Sequence, residues 1–172
     1  MLWSTDMKIF MNNEQHIEIS IGGQKLSFFQ DGRKVVRYSI STSSKGAGEK
    51  MGSWQTPRGL HRIRAKIGAG LPENAVLVGR RFSGEIYDQK LAQKFPQRDW
   101  ILTRILWLCG REHGINRMGA VDSMRRFIYI HGTPDAEPMG IPRSHGCIRM
   151  HNSEILELFE KVAPGCPVTI RE

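Results

Sequence analysis

The chain has 172 residues, 40% hydrophobic and 24% charged, enough to bury a core within a single domain spanning residues 1–172. Its 18 glycines fall mostly at turn-like positions between short apolar runs, which favours many short strands over long helices. A net charge of +8 suits an anionic partner, whether nucleic acid, a membrane surface or carboxylate-rich fragments, while the lack of any run of about 18 apolar residues excludes a spanning helix.

Met1 to Phe10 carries Asp6 and Lys8 with no apolar stretch behind them, so no secretory leader is read and a cytoplasmic location is expected. A leader trimmed from the chain would instead imply the periplasm. His16 to Ile21 alternates polar and apolar residues and is predicted as a strand, turning at Gly22-Gly23 into a second strand over Gln24 to Gln30. Asp31-Gly32 turns again, into a third strand over Arg33 to Ser41. Thr42 to Thr56 reads as an exposed loop ending at Thr56-Pro57-Arg58-Gly59, and Leu60 to Ile67 as the next strand.

Val76 to Phe82 is predicted as one short strand, whereas Ser83 to Asp99 shows too little periodicity to assign. Trp100 to Leu108 is strongly apolar, a buried strand or a short helix, with its isoleucines, threonine and tryptophan favouring the strand. A polar loop over Glu112 to Asp122 leads to a strand over Arg125 to His131. Ser153 to Lys161 is the expected helix: Ile155, Leu158, Phe159 and Val162 recur at helical spacing, Asn152 or Ser153 can cap it, and Glu154 suits its positive end. Pro167 to Arg171 closes the chain as a strand, which makes the whole mainly β with a late helix.

The chemistry-bearing stretch runs from His131 to Met150. In it Cys147 follows Gly146, with His145 two residues upstream and His131 sixteen. A free thiol titrates near ~8.5 and is a weak nucleophile until an imidazole takes its proton. His131, at a strand end, is a rigidly placed base, and the Pro/Gly-rich loop after it can fold Cys147 back toward that end. Gly146 permits an unusual backbone conformation, so the amides of Gly146 and Cys147 can face a developing oxyanion.

Blander readings stand beside this one. Cys109, within an apolar run, and Cys166, beside prolines, read as small buried hydrophobes, and three dispersed cysteines make no disulfide framework. His131, His145, Cys147 and His151 are all zinc-ligand types, although their spacing matches no common zinc pattern. Lys45-Gly46-Ala47-Gly48 is no phosphate cradle, no cofactor is implied, and the dispersed basic residues carry no nucleic-acid-binding signature.

Ser144-His145-Gly146-Cys147-Ile148-Arg149 resembles the SHGCIR signature of L,D-transpeptidase (YkuD-type) catalytic domains. His131-Gly132-Thr133 is similar to that family's upstream HG element, and Tyr38 to Thr42 followed by Thr56-Pro57-Arg58-Gly59 to its strand and TPxG turn. The resemblance implies a β-sandwich-like domain with its cysteine at a loop edge beneath a lid. It implies that Cys147 attacks the third stem-peptide residue of peptidoglycan, usually meso-diaminopimelate, and expels the terminal D-alanine. His131 would be the base, oriented by a backbone carbonyl such as that of Gly132, with His145 in support. Arg149 would anchor a substrate carboxylate or form a structural ion pair, and Ser144 would support the loop.

The family's sensitivity to carbapenems implies a covalent adduct on Cys147. Cross-linking needs polymeric wall outside the membrane, so a cytoplasmic member is expected to hydrolyse soluble muropeptides as an L,D-carboxypeptidase. Transpeptidation is the alternative, and a non-catalytic muropeptide-binding module a further one.

Overall fold

Alternation along the first strand buries Ile17 and Ile19 and leaves Glu18 outside. The computed structural model describes residues 14–172, so the leader expectation for Met1 to Phe10 lies outside the described residues. The strands are β1 Gln15–Ser20, β2 Lys25–Gln30, β3 Arg33–Ser39, β4 Gly59–Ile67, β5 Ala75–Val78 and β6 Arg81–Ile86. After helix α1, Gln89–Lys94, come β7 Leu102–Gly110, β8 Tyr129–Thr133 and β9 Ile148–His151. Helix α2, Asn152–Lys161, and β10, Pro167–Arg171, complete the chain.

Among the described residues the strands join in the order β3-β2-β1-β10-β4-β7, and β7 goes on to pair with β5 and β8. β7 is buried along nearly its whole length because β4 and β8 flank it on opposite edges, with Ile105 paired to both Ile67 and His131. β8 pairs in parallel with β9, in the register Ile130 with Ile148 and His131 with Arg149. The sheet curls until Ser41, just past β3, exchanges backbone hydrogen bonds with Arg149 at 3.0 and 2.9 Å, covering the outer edge of β9.

Ile17, Phe28, Leu106, Ile130, Ile148 and Val168 form the core from strands across this curl. α2 lays Ile155, Leu158 and Phe159 into it, each burial stabilising by about 1.5–3 kcal/mol.

The expected mainly β domain with one late helix is what the chain forms, and the apolar run from Trp100 is a strand rather than a helix, over Leu102–Gly110. Several local expectations are corrected. Val76 to Phe82 is not one strand, because Gly79 and Arg80, at φ of +54° and +65°, turn it into the β5–β6 hairpin. The strand expected from Arg125 starts only at Tyr129: residues 123–127 are a run of turns ending at Phe127, φ +56°. The unassigned region after Ser83 holds the rest of β6 and helix α1, capped by Asp88, whose carboxylate accepts from Leu91 N–H at 2.7 Å. The N-cap of α2 is His151 with no side-chain bond, because Asn152 turns inward to Thr133 O and Asp135.

Candidate active site

A parallel strand pair needs a long crossover, and here residues 134–147 supply it between β8 and β9 without a helix. The register that follows explains the sixteen-residue spacing. Cys147 immediately precedes β9 and lies beside Tyr129, whose N–H donates to its Sγ at 3.4 Å. His131 pairs with Arg149 one side-chain step further on, so His131 and Cys147 project from the same face of the sheet as diagonal neighbours. The opposite face presents Ile130 and Ile148 to the core.

His131 is 2% exposed, and its Nδ1 lies 2.6 Å from Gly132 O. A carbonyl only accepts, so Nδ1 carries the hydrogen and Nε2 is left with its lone pair. Burial pushes the His131 pKa below its usual value, partly opposed by the Gly132 carbonyl and Asp99 and reinforced by Arg149, so the ring is a neutral base near pH 7. Gly132 has no room for a side chain: a Cβ would meet Leu102 O at 2.6 Å and Asn152 Oδ1 at 2.5 Å.

The Cys147 thiol donates to Phe127 O at 3.3 Å while it accepts from Tyr129. Burial pushes its pKa up to about 12. The Tyr129 N–H works against that rise, as do Arg149 and Arg126, whereas Asp99 adds to it. At neutral pH the side chain is therefore a thiol, and nucleophilic use of it would need a base.

The turn before Cys147 is built by hydroxyls. Ser144 is buried, donates from Oγ to Cys147 O at 2.5 Å and accepts Gly146 N–H at 3.2 Å. Gly146 sits at φ +128°, and its carbonyl accepts from Thr56 Oγ1 at 2.9 Å. Of the two amides expected to face an oxyanion, that of Gly146 is thus already engaged by Ser144.

Asp99 joins the remaining residues. Arg149 donates to its Oδ1 at 2.8 Å, and His145 Nδ1 lies 3.1 Å from its Oδ2. Burial alone would raise the Asp99 pKa, but Arg149, then His131 and His145, outweigh it and hold the carboxyl below the usual range. Arg149 thus has its ion pair, while His145 is exposed, with its ring edge against Trp54 at 5.8 Å between centroids.

Two clefts meet at Asp99 and His145. A cleft of about 530 Å³ is lined by Ser44, Lys45, Trp54, Asp99, Ser144 and His145, and one of about 140 Å³ lies beside Arg98, Thr133 and Arg149. Cys147 lines neither directly but follows the Ser144-His145 rim of the larger one. Arg126 fixes the opposite wall, donating to Gly48 O, Glu49 O, Ser53 Oγ and Gln55 O.

Asp99, Trp54, Tyr129 and Arg126 were not among the residues expected from the sequence. Asp99 lies in an aperiodic stretch and gains its role only where the fold brings it to residues 145 and 149. Among the described residues no three His, Cys, Asp or Glu side chains converge as a metal ion would require, and His151 stands apart at the start of α2.

Comparison with known proteins shows which family the chain and its fold resemble. The chain is 45% identical over 47 residues to YqjB of Bacillus subtilis (strain 168), a match spanning 27% of either chain. An L,D-transpeptidase from Mycobacterium smegmatis shares the fold with a TM-score of 0.54 at 15% identity, over 92% of this chain and 59% of that one. L,D-transpeptidase 3 from Mycobacterium tuberculosis, in complex with a faropenem-derived adduct, matches at a TM-score of 0.51 and 17% identity, over 92% of this chain and 60% of its own. This chain therefore spans about a quarter to three fifths of those relatives. The profile of the L,D-transpeptidase catalytic domain matches residues 14–170, from the start of β1 to within β10, and with the cysteine and histidine set side by side the chain belongs to the YkuD family of L,D-transpeptidase catalytic domains.

Proposed function

We propose that this protein transfers acyl groups of peptidoglycan stem tetrapeptides through Cys147, with water as the favoured acceptor, and so acts as an L,D-carboxypeptidase. The observation that carries the reading is the Cys147 thiol on the Tyr129 amide at 3.4 Å, on the same sheet face as a His131 whose Nδ1 is tied to Gly132 O. His131 Nε2 takes the Sγ proton as sulfur bonds to the carbonyl carbon of the third residue, meso-diaminopimelate in the family. The carbonyl electron pair moves onto oxygen, where the Cys147 N–H would donate, the Gly146 N–H being engaged by Ser144. Collapse breaks the C–N bond, and the imidazolium returns the proton to the departing D-alanine amine. Water then gives a proton to His131, adds to the thioester and releases the tripeptide and the thiol. Ser144 and Gly146 hold the turn for this sequence, while His145 and Arg149 are positioned through Asp99.

The cleft of about 530 Å³ beside the Ser144-His145 rim lies within the range for a drug-sized ligand and suits one stem peptide. Muropeptides returned to the cytoplasm by wall turnover would be the substrates. The M. tuberculosis neighbour carries an adduct derived from faropenem, a penem rather than a carbapenem, and this supports the wider reading that β-lactams acylate Cys147 here.

The test is mass spectrometry of products from a defined tetrapeptide muropeptide, with wild type and Cys147→Ala, with and without a D-amino acid. Tripeptide formed only by wild type and indifferent to the added amine is the expected outcome. Amine-dependent exchange or dimers would make the enzyme a transpeptidase, and no Cys147-dependent product would leave a muropeptide-binding module.

A further inference from the structure

The β5–β6 hairpin turns through Gly79 and Arg80, both in the left-handed region, at φ +54° and +65°. An arginine held there is uncommon, and such backbone strain persists where surrounding contacts impose it. The contacts are specific. The Arg80 guanidinium lies 4.4 Å from the ring centroid of Trp107 and 5.1 Å from that of Phe127, and Nη1 donates to Tyr129 Oη at 3.0 Å. Two of those three residues also hold the nucleophile: Phe127 O accepts the Cys147 thiol, and Tyr129 N–H donates to it. Trp107, Tyr129 and Cys147 pack in one apolar cluster, and the Tyr129 phenol is close enough to feel the charge of Cys147.

Arg149 and Arg126 act on the nucleophile and Arg80 contacts the residues that hold it, and the three differ in what they have left to give. Arg149 is paired with Asp99, and Arg126 is spread over four oxygens of the 48–55 loop. Arg80 is half-buried, stacked on two rings, and has the Tyr129 hydroxyl as its hydrogen-bond partner and no acidic partner among the described residues. A guanidinium carries five N–H donors in a planar fork that matches a carboxylate. Stacking on aromatic faces leaves the edge of that fork open.

Position selects the ligand. Along the β8–β9 pair Arg80 reaches the level of residues 127–129, Cys147 lies beside residue 129, and Asp99 meets Arg149 at the level of residue 131. The cation therefore lies about level with the thiol, and the anion one step beyond it along the strand direction. In the tetrapeptide the free carboxylate of the leaving residue is one residue from the attacked carbonyl. We propose that Arg80 is the anchor for this terminal carboxylate, which makes the enzyme select stems that end at the fourth residue. The inference rests on the acyl-transfer reading above. It gives the carboxylate-anchoring task, for which Arg149 is the candidate in the sequence, to a residue on a separate hairpin.

The test compares a tetrapeptide ending in free D-alanine with the same peptide ending in D-alaninamide, using wild type, Arg80→Met and Arg80→Lys. Wild type is expected to favour the free acid by roughly 10–100-fold in kcat/KM, chiefly through KM, as a charge-assisted pair would give. Arg80→Met erases that preference by lowering activity on the acid alone, and Arg80→Lys restores part of it. Equal losses on acid and amide would reduce Arg80 to a packing role and overturn the proposal, as would a preference that survives in Arg80→Met. Calorimetric titration of both peptides into Cys147→Ala separates this inference from the acyl-transfer reading, since it needs no turnover. Tighter binding of the acid without any Cys147-dependent product sinks that reading and leaves the anchor standing. Cys147-dependent cleavage of acid and amide at equal rates does the reverse.

Discussion

Arg149 donates to Asp99 Oδ1 at 2.8 Å, and this pair forms where β9 runs beside His131. Its two charges pull in opposite directions on both His131 and Cys147. Asp99 raises the pKa of His131 and of Cys147, while Arg149 lowers both. The pair thus offsets much of its own field at the site, and either partner alone would not.

Asp99→Asn removes one side of that balance. Arg149 is left uncompensated, so the pKa of His131 falls further, and the acid limb of the kcat/KM profile is expected to move to lower pH. The same unopposed charge lowers the Cys147 pKa, so iodoacetamide alkylation at a fixed pH should speed up. Asp99 is 45% exposed, and the loss in stability is therefore about 1–2 kcal/mol rather than that of a fully buried pair. An acid limb that stays in place would show that the pair is structural only.

Gly146→Ala tests the turn before the nucleophile. The backbone there sits at φ +128°, and an added Cβ would come within 3.2 Å of Gln55 O. Relief requires moving either the 53–56 loop or Cys147. We expect a loss of about 1–3 kcal/mol in denaturant melts together with a sharp fall in tripeptide formation. Wild-type stability with full activity would mean that the turn tolerates a side chain.

Much of this arrangement is readable in the sequence, and what is not has physical causes. The strands with one buried face, such as Gln15–Ser20 and Gly59–Ile67, announce themselves by alternation. β6 and α1 do not, because β6 is largely exposed and α1, with Leu91 only partly buried, has no fully buried residue, so neither has a broad apolar face to leave a pattern. The run from Arg125 looks like a continuous strand, but Arg126 turns to the loop carbonyls and Phe127 takes φ +56°, which delays pairing to Tyr129. Gly79-Arg80 is hidden in the same way inside what reads as one short strand over Val76 to Phe82. His131, Gly132, Ser144, Gly146 and Cys147 are close in sequence and recognisable as a group. Asp99 and Arg80 belong to the site through long-range packing alone.

Arg126→Met addresses the loop that forms the far wall of the cleft. The native side chain gives four hydrogen bonds to residues 48–55, the shortest at 2.5 Å to Gln55 O. At about 0.5–1.5 kcal/mol each, and with methionine keeping part of the packing, the net cost should be about 2–3 kcal/mol. The loop also carries Trp54 and leads to Thr56, which holds the Gly146 carbonyl. We therefore expect new proteolytic sites within 48–55 and a raised KM, with kcat less affected. Unchanged proteolysis would show that the loop is held by other contacts.

Acid stability gives a last test, away from the nucleophile. His61 is 1% exposed, with Nδ1 3.1 Å from Gly59 O and Nε2 2.8 Å from Ser123 Oγ. Burial pushes its pKa down to about 4, against about 6.5 in an unfolded chain. The unfolded state therefore binds a proton that the folded state refuses, and stability present above pH 6.5 is lost as pH falls through about 4. The loss should approach about 3 kcal/mol between urea melts at pH 7 and pH 4. His131 titrates with the same sign, so His61→Gln should flatten the slope only in part. A slope identical in wild type and His61→Gln would mean that His61 is protonated in the folded protein and that the acid sensitivity belongs to other groups.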